Sequence, residues 1–219
     1  MMCHEMKLLL IFISLLTLPL TAQYRASEWE ARDHWQQVDQ IMDHLELSPA
    51  MHVADIGCHE GYLTMKLSPL VGNSGQVYAV DIEKHKLAKL SKRIKAQSIS
   101  NVKTIHGAVD NPRLPEGRLD RVVILDTYHE IKHFGKVLTH LHQALKPGGK
   151  MIIIEPIATS RESWTRKEQA DKHEISLRYV LEDLNQAGFQ VNKTINPFIE
   201  RPSKYDQMWL LVATKPNNN

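Results

Sequence analysis

Val53-Ala54-Asp55-Ile56-Gly57-Cys58-His59-Glu60-Gly61-Tyr62-Leu63-Thr64 is the stretch from which the fold of this 219-residue chain is read. A short, mostly apolar run from Met51 to Ala54 meets an acidic residue, then two glycines, then a segment with helical periodicity, which reads as strand, tight turn and helix. Gly57 lets the backbone turn with no Cβ in the way, and Gly61 lets the helix begin close to the strand. A ligand is then expected to sit against bare backbone N–H groups. A dinucleotide turn has the order G-x-G-x-x-G, with a pyrophosphate on the helix N-terminus. Here the acidic residue precedes the first glycine, in the order Asp55-x-Gly57-x-His59-x-Gly61.

Downstream, Gln76 to Val80 reads as a second strand, ending in Asp81 and followed by Ile82, and Lys84 to Ala96 as a helix with a basic outer face. Asp81 lies about twenty residues beyond the first loop, where an acidic side chain reaches ribose hydroxyls. Val102 to Ile105 is a third strand leading into Gly107-Ala108-Val109-Asp110. Leu119 to Leu125 is a fourth, delivering Asp126-Thr127-Tyr128-His129-Glu130. The helix from Phe134 to Leu145 is stopped by Lys146-Pro147-Gly148-Gly149 before the strand Met151 to Ile154. Ala158 to Glu174 is polar with no period, suited to a mobile substrate-side insertion. Ile175 to Ala187 is a helix closed by Gly188, and Phe189 to Ile195 and Gln207 to Thr214 are the last strands. The Asn-rich tail, residues 216–219, is expected to be disordered.

Upstream, Ser27 with Glu30 three residues on predicts a capped helix whose apolar stripe is Trp35, Val38, Ile41, Met42 and Leu45. It is expected to pack across the domain as a lid, residues 23–50, with Trp29 and Trp35 candidates for a substrate pocket. Lys7, the apolar run Leu8 to Leu18 and the small-residue stretch to Ala22 match a secretory signal over residues 1–22, cleaved after Ala22. The run is short for a bilayer span, so a membrane tether arises only if the segment stays uncleaved. This assigns the product to an exported location. Cys3 would leave with the signal and Cys58 alone makes no internal disulfide.

With 42% hydrophobic residues the chain supports one full core, residues 51–215, and 27 basic against 25 acidic residues give no footprint for nucleic acid. A small molecule is the expected partner.

The Asp55–Gly61 loop with His59 in the place of a middle glycine, Asp81 ending the second strand, Asp126 ending the fourth, and the string Ala144-Leu-Lys-Pro-Gly-Gly-Lys-Met-Ile-Ile-Ile-Glu-Pro156 together resemble class I S-adenosylmethionine-dependent methyltransferases over residues 25–215. The resemblance implies an α/β fold with a Rossmann-like doubly wound sheet, mostly parallel, closed by a C-terminal antiparallel hairpin strand. It implies S-adenosylmethionine as cofactor, held by Asp55, Gly57, His59, Gly61, Asp81, Ile82, Ala108, Val109 and Asp126. Ala108 stands where the family often has an acidic residue for the adenine amino group, which leaves that contact to the backbone of Ala108 and Val109. Thr127-Tyr128 departs from the proline-containing pattern of the amino-methylating branch, which favours O-, C- or S-methylation. His129 is the first candidate for a catalytic base and Glu130 the second.

Two other readings stand at this point. A module that binds the nucleoside without transferring a methyl group is consistent with the departures at His59 and Ala108. His129-Glu130-Ile131-Lys132-His133 also spells H-E-x-x-H, whose histidines on one helix face would hold zinc with the glutamate as base.

Overall fold

The computed structural model describes residues 20–217. The expected signal lies outside the described residues, except that Leu20–Ala22 open the first helix. Among the described residues no helix is long and apolar enough to cross a membrane.

The chain folds through helices α1 (Leu20–Trp35) and α2 (Val38–Leu45), strand β1 (His52–Ile56), α3 (Tyr62–Val71), β2 (Gln76–Asp81), α4 (Lys84–Ala96), β3 (Val102–His106), β4 (Leu119–Leu125), α5 (Phe134–Ala144), β5 (Leu145–Ile157), α6 (Arg166–Ala170), α7 (Leu177–Gln186), β6 (Gln190–Arg201) and β7 (Asp206–Thr214). The strands form one seven-stranded sheet in the order β3-β2-β1-β4-β5-β7-β6. The first five pair in parallel, and β7 runs antiparallel between β5 and β6. The doubly wound sheet with its closing hairpin is therefore as expected.

Alternation along the strands divides the core between two faces. Ala54, Val122, Ile153 and Leu211 pack under α5 and α7, whereas Val53, Val123, Ile152 and Leu210 pack under α2 and α3. Such period-two sorting over near-continuous apolar strands is what a sheet buried on both sides requires. The chain winds from β1 outward to β3, then returns to lay β4 on the other side of β1. The carboxyl ends of β1 and β4 thus flank a crevice, where open α/β sheets bind ligands.

The N-terminal segment differs from the sequence expectations. The N-terminal helix is two helices, broken where Gln37 adopts a left-handed φ of 50°. Ser27 lies inside α1 rather than capping it. Val38, Ile41 and Leu45 pack on the sheet, whereas Trp35 stays exposed beneath the cations of Arg201 and Lys204. The break frees α1 to leave the sheet surface while α2 remains on it, its last carbonyls satisfied by Arg121, whose Nε donates to the Leu45 carbonyl at 2.6 Å.

Residues 158–174 are ordered. A capping box joins Thr165 and Glu168 at the start of α6, Glu174 accepts a two-pronged bond from Arg161, and the buried Gln169 side chain donates to the carbonyls of Arg161 and Glu162. The Pro147-Gly148-Gly149 turn is absorbed as an irregularity within β5, and β6 extends to Arg201 through a bulge around Pro197. Lys215, just before the expected disordered tail, is tied into the fold by its Nζ, which donates to the Leu145 carbonyl at 2.8 Å, and residues 218–219 of that tail lie outside the described residues.

Candidate functional site

A cavity of about 1220 Å³ opens at the carboxyl ends of β1, β2 and β4. It exceeds the upper end of the usual range for a single drug-sized ligand, roughly 1,000 Å³, and has room for two reactants side by side. Its floor is the loop after β1. Gly57 turns at φ +73°, and a Cβ there would run into the side chain of Thr127, so the loops after β1 and β4 meet in contact at this glycine. Gly61 caps α3 at φ +89°, against Leu90.

The loop's N–H groups do not point at a ligand. Those of Gly57 and Cys58 both donate to the Val80 carbonyl, at 2.9 and 3.0 Å, and that of Gly61 donates to the Cys58 carbonyl at 2.8 Å. The N–H of His59 donates to Asp81 Oδ2, also at 2.8 Å. The expectation of bare amides is corrected for Gly57, Cys58, His59 and Gly61, whose N–H groups are spent on β2 or within the loop. His59, standing where the resembling family has glycine, keeps that residue's left-handed backbone at φ 51°.

Carboxylates face the cavity instead. Asp55 is buried, accepts from Thr64 Oγ1 at 2.6 Å, and is pushed up to about 6 by its burial. Asp81 accepts from the N–H groups of His59 and Glu83, one on each oxygen, which leaves each oxygen a further lone pair. Asp126 lines the wall at the end of β4 with a left-handed φ of 54°. Among the described residues seven carboxylates line the cavity against two permanent cations, Arg32 and Lys132, which makes it a site for positive charge. Ile82 and Val109 are exposed into the same cavity and supply apolar surface beside Asp81. The Ala108 backbone is closed in a bridge with Asn111, its N–H donating to the Asn111 carbonyl at 2.8 Å, and Ala108 and Val109 both line the cavity.

The α1 helix roofs the cavity. Trp29 and Arg32, one turn apart, both line it, whereas Trp35 does not. Tyr62 at the start of α3 packs edge-on to Trp29 with ring centroids 5.7 Å apart, lies 3.9 Å beneath the Arg32 guanidinium, and donates to Asp33 at 2.7 Å. Lys66 joins the same carboxylate at 2.6 Å, fastening α1 to the helix that starts from the glycine loop. Burial pulls the Arg32 guanidinium below its ordinary range against the attraction of Tyr62, Asp126 and Asp55, and it remains a cation at any working pH.

The two proposed bases part company. His129 does not line the cavity: its side chain is 3% exposed and its Nδ1 lies 2.6 Å from Glu155 Oε2. Glu155, buried at the end of β5, also accepts the N–H groups of Thr127 and Tyr128 at 2.5 and 2.6 Å. It therefore sets the whole turn after β4. Burial pulls His129 down, and the hydrogen bond and charge of Glu155 outweigh it, leaving the imidazole raised. Glu130 lines the cavity, as do Lys132 and His133. The zinc-helix geometry is absent, because Tyr128–Glu130 is a single 3₁₀ turn, Ile131 is extended and α5 starts only at Phe134. His129 and His133 are thus not on one helix face.

Sequence reasoning missed Arg32, Tyr62, Thr64 and Glu155. Two of them carried signals: Arg32 lies three residues after Trp29 on one helix face, and Glu155 is a lone charge ending an isoleucine run.

Residues 53–149 match the methyltransferase domain family. Among curated proteins, a demethylmenaquinone methyltransferase from Geobacillus sp. (strain WCH70) is 29% identical over 124 residues, 57% of this chain and 53% of that protein. The chain thus matches about half the length of such relatives. Among solved structures, a SAM-dependent methyltransferase from Aquifex aeolicus superposes with a TM-score of 0.71 at 22% identity, covering 86% of this chain and 97% of that one. Geranyl diphosphate C-methyltransferase from Streptomyces coelicolor A3(2), in complex with Mg2+, geranyl diphosphate and S-adenosyl-L-homocysteine, gives 0.69 at 16% identity, covering 84% and 80%. The fold is that of these proteins.

Proposed function

We propose that this chain is an S-adenosylmethionine-dependent methyltransferase acting on a small, electron-rich acceptor at carbon. The observation that carries the reading is the stitched loop: the Gly57, Cys58 and His59 amides are spent on β2 and carboxylates face inward, which suits a sulfonium and ammonium ligand better than a pyrophosphate. The residues present fit the cofactor. Asp81 has lone pairs for the ribose hydroxyls, Ile82 and Val109 give apolar surface for the base, Asp55 faces the cationic end, and Arg32 brings a positive charge for the carboxylate. The matched methyltransferase domain family, the relative named demethylmenaquinone methyltransferase and a relative from Marinomonas sp. (strain MWYL1) named as a ubiquinone/menaquinone biosynthesis C-methyltransferase support the same reading.

Held there by Asp81, Asp55 and Arg32, S-adenosylmethionine would supply an electrophilic sulfonium methyl group to the acceptor. The protein's work is alignment and exclusion of water, so α1, with Trp29 over the cavity, acts as the cover. Glu155 holds Thr127 and Tyr128 in place at the acceptor end. Glu130 and His133 are the groups on that segment able to take the proton a carbon acceptor loses.

The test is product detection. Protein incubated with methyl-labelled cofactor and a panel of hydroquinones, phenols and 1,3-dicarbonyl compounds should release S-adenosylhomocysteine and a labelled carbon-methylated product with at least one of them. Saturable cofactor binding with no release for any acceptor would replace the reading with that of a binding module. We also propose that residues 1–22 direct export with cleavage after Ala22. An N-terminus at Gln23 in protein recovered from the cell envelope supports this, and an intact leader on soluble protein refutes it.

A further inference from the structure

At the rim of the cavity the turn after β4 meets the turn after α6. His129 and Glu130 come from the first and His173, in a left-handed backbone at φ 58°, from the second. His129 Nε2 lies 3.8 Å from Glu130 Oε1, and His173 Nδ1 lies 3.7 Å from the same oxygen. The imidazoles stand edge to face, with centroids 5.6 Å apart and planes at 84°. One candidate donor atom from each of the three residues lies within 4.8 Å of the other two.

The far side of His129 completes the pattern. Its Nδ1 is held 2.6 Å from the buried Glu155 carboxylate, which orients the ring with Nε2 outward, 3.8 Å from Glu130 Oε1. Carboxylate, imidazole, then metal is how a ligating histidine is ordinarily oriented. A merely structural His–Glu pair needs no second imidazole across its outer edge.

We infer that His129, Glu130 and His173 form a site for one divalent transition-metal ion, with Glu155 as the outer carboxylate. Around a tetrahedral zinc with bonds of ~2.0–2.1 Å, ligand atoms stand about 3.3 Å apart. The donor atoms must therefore close in by roughly 0.5–1.5 Å on that geometry. The Glu130 and His173 side chains, 63% and 77% exposed, have the freedom to do so. Two imidazoles and one carboxylate select zinc, cobalt, nickel or iron(II) over magnesium and calcium, and three protein ligands leave a coordination position open. Glu130 also lines the cavity, so an acceptor oxygen can reach that position as a phenolate or enolate, with His133 left to take the proton. The metal site stands apart from the methyl-transfer reading, and only its use on an acceptor oxygen rests on that reading.

The experiment uses the full chain, stripped with a chelator, titrated with zinc and then cobalt(II) salts, and followed by calorimetry and by the visible absorption of bound cobalt. The expected result is one equivalent bound, displaced by neither magnesium nor calcium. His173→Ala, a change at an exposed turn, should weaken zinc binding by a hundredfold or more with the circular dichroism unchanged. Glu155→Gln should weaken it about 10–100-fold. His140→Ala, remote on α5, should leave it unchanged. Less than a tenth of an equivalent bound by folded protein, or zinc bound to His173→Ala as tightly as to the parent, would overturn the inference. Neither depends on cofactor binding or turnover.

Discussion

Lowering the pH from 7 to 5 is expected to weaken S-adenosylmethionine binding about tenfold through a single carboxylate. Asp55 is buried beside Thr64, and its burial pushes it up to about 6 from an ordinary 3.8. At pH 7 it is then about nine-tenths ionised and at pH 5 about one-tenth. A cationic ligand binds the ionised form, so the apparent dissociation constant rises as that fraction falls, about tenfold or ~1.4 kcal/mol. The same shift sets the stability of the free protein. Because the folded-state value is raised, the folded protein binds more protons than the unfolded chain between about pH 4 and pH 6. This contribution therefore favours folding at the acid end and is lost as pH rises through 6, by up to about 3 kcal/mol. Calorimetric titrations at pH 7, 6 and 5 with parent and Asp55→Asn give the assay. The parent should show the tenfold step with proton release on binding. Asp55→Asn should bind more weakly at pH 7, lack the step, and melt at a higher temperature than the parent when free of ligand. A flat affinity in the parent, or the same step in the variant, would refute the reasoning.

Gly57→Ala places a Cβ on the Thr127 side chain at a left-handed φ. Overpacking and backbone strain together should cost about 2–4 kcal/mol in urea unfolding, and a loss under 0.5 kcal/mol would remove the contact from consideration. His59 shares the left-handed backbone but points into an open site. His59→Gly should hold stability within about 1 kcal/mol while His59→Val loses ~1.5 kcal/mol or more, and equal stability of the two would contradict the strain argument. Glu155→Gln leaves three donors competing for one amide oxygen. It should cost about 2–4 kcal/mol and raise hydrogen exchange at Thr127 and Tyr128, whose protection would stay at the parent level if Glu155 did not set the turn.

What could be read in the sequence was whatever a change of period or an obligatory glycine announces. The β1 turn shows in Asp55-x-Gly57 followed by helical spacing, and the β5 strand in an isoleucine run after Pro-Gly-Gly, so the sheet followed from local chemistry. The orientation of His129 could not be read, because it is decided by a carboxylate on β5, 26 residues away. The Gly57 and Cys58 amides look bare in sequence and are spent on a carbonyl of the neighbouring strand, a consequence of sheet pairing. The break at Gln36-Gln37 carries neither glycine nor proline. It arises because α1 and α2 cover different surfaces, and tertiary packing overrides helix propensity there. The order in residues 158–174 did carry a signal, the Thr165-x-x-Glu168 capping box, which the polar composition obscured.

The cavity's assignment to S-adenosylmethionine is tested most directly by calorimetric titration of the protein with that compound and with S-adenosylhomocysteine, in parallel with Asp81→Ala. Saturable one-to-one binding of both, weakened at least tenfold by a substitution that removes the lone pairs offered to the ribose, is the expected result. Absence of binding to either compound by a protein shown to be folded would contradict the assignment of this acid-lined cavity to a sulfonium nucleoside.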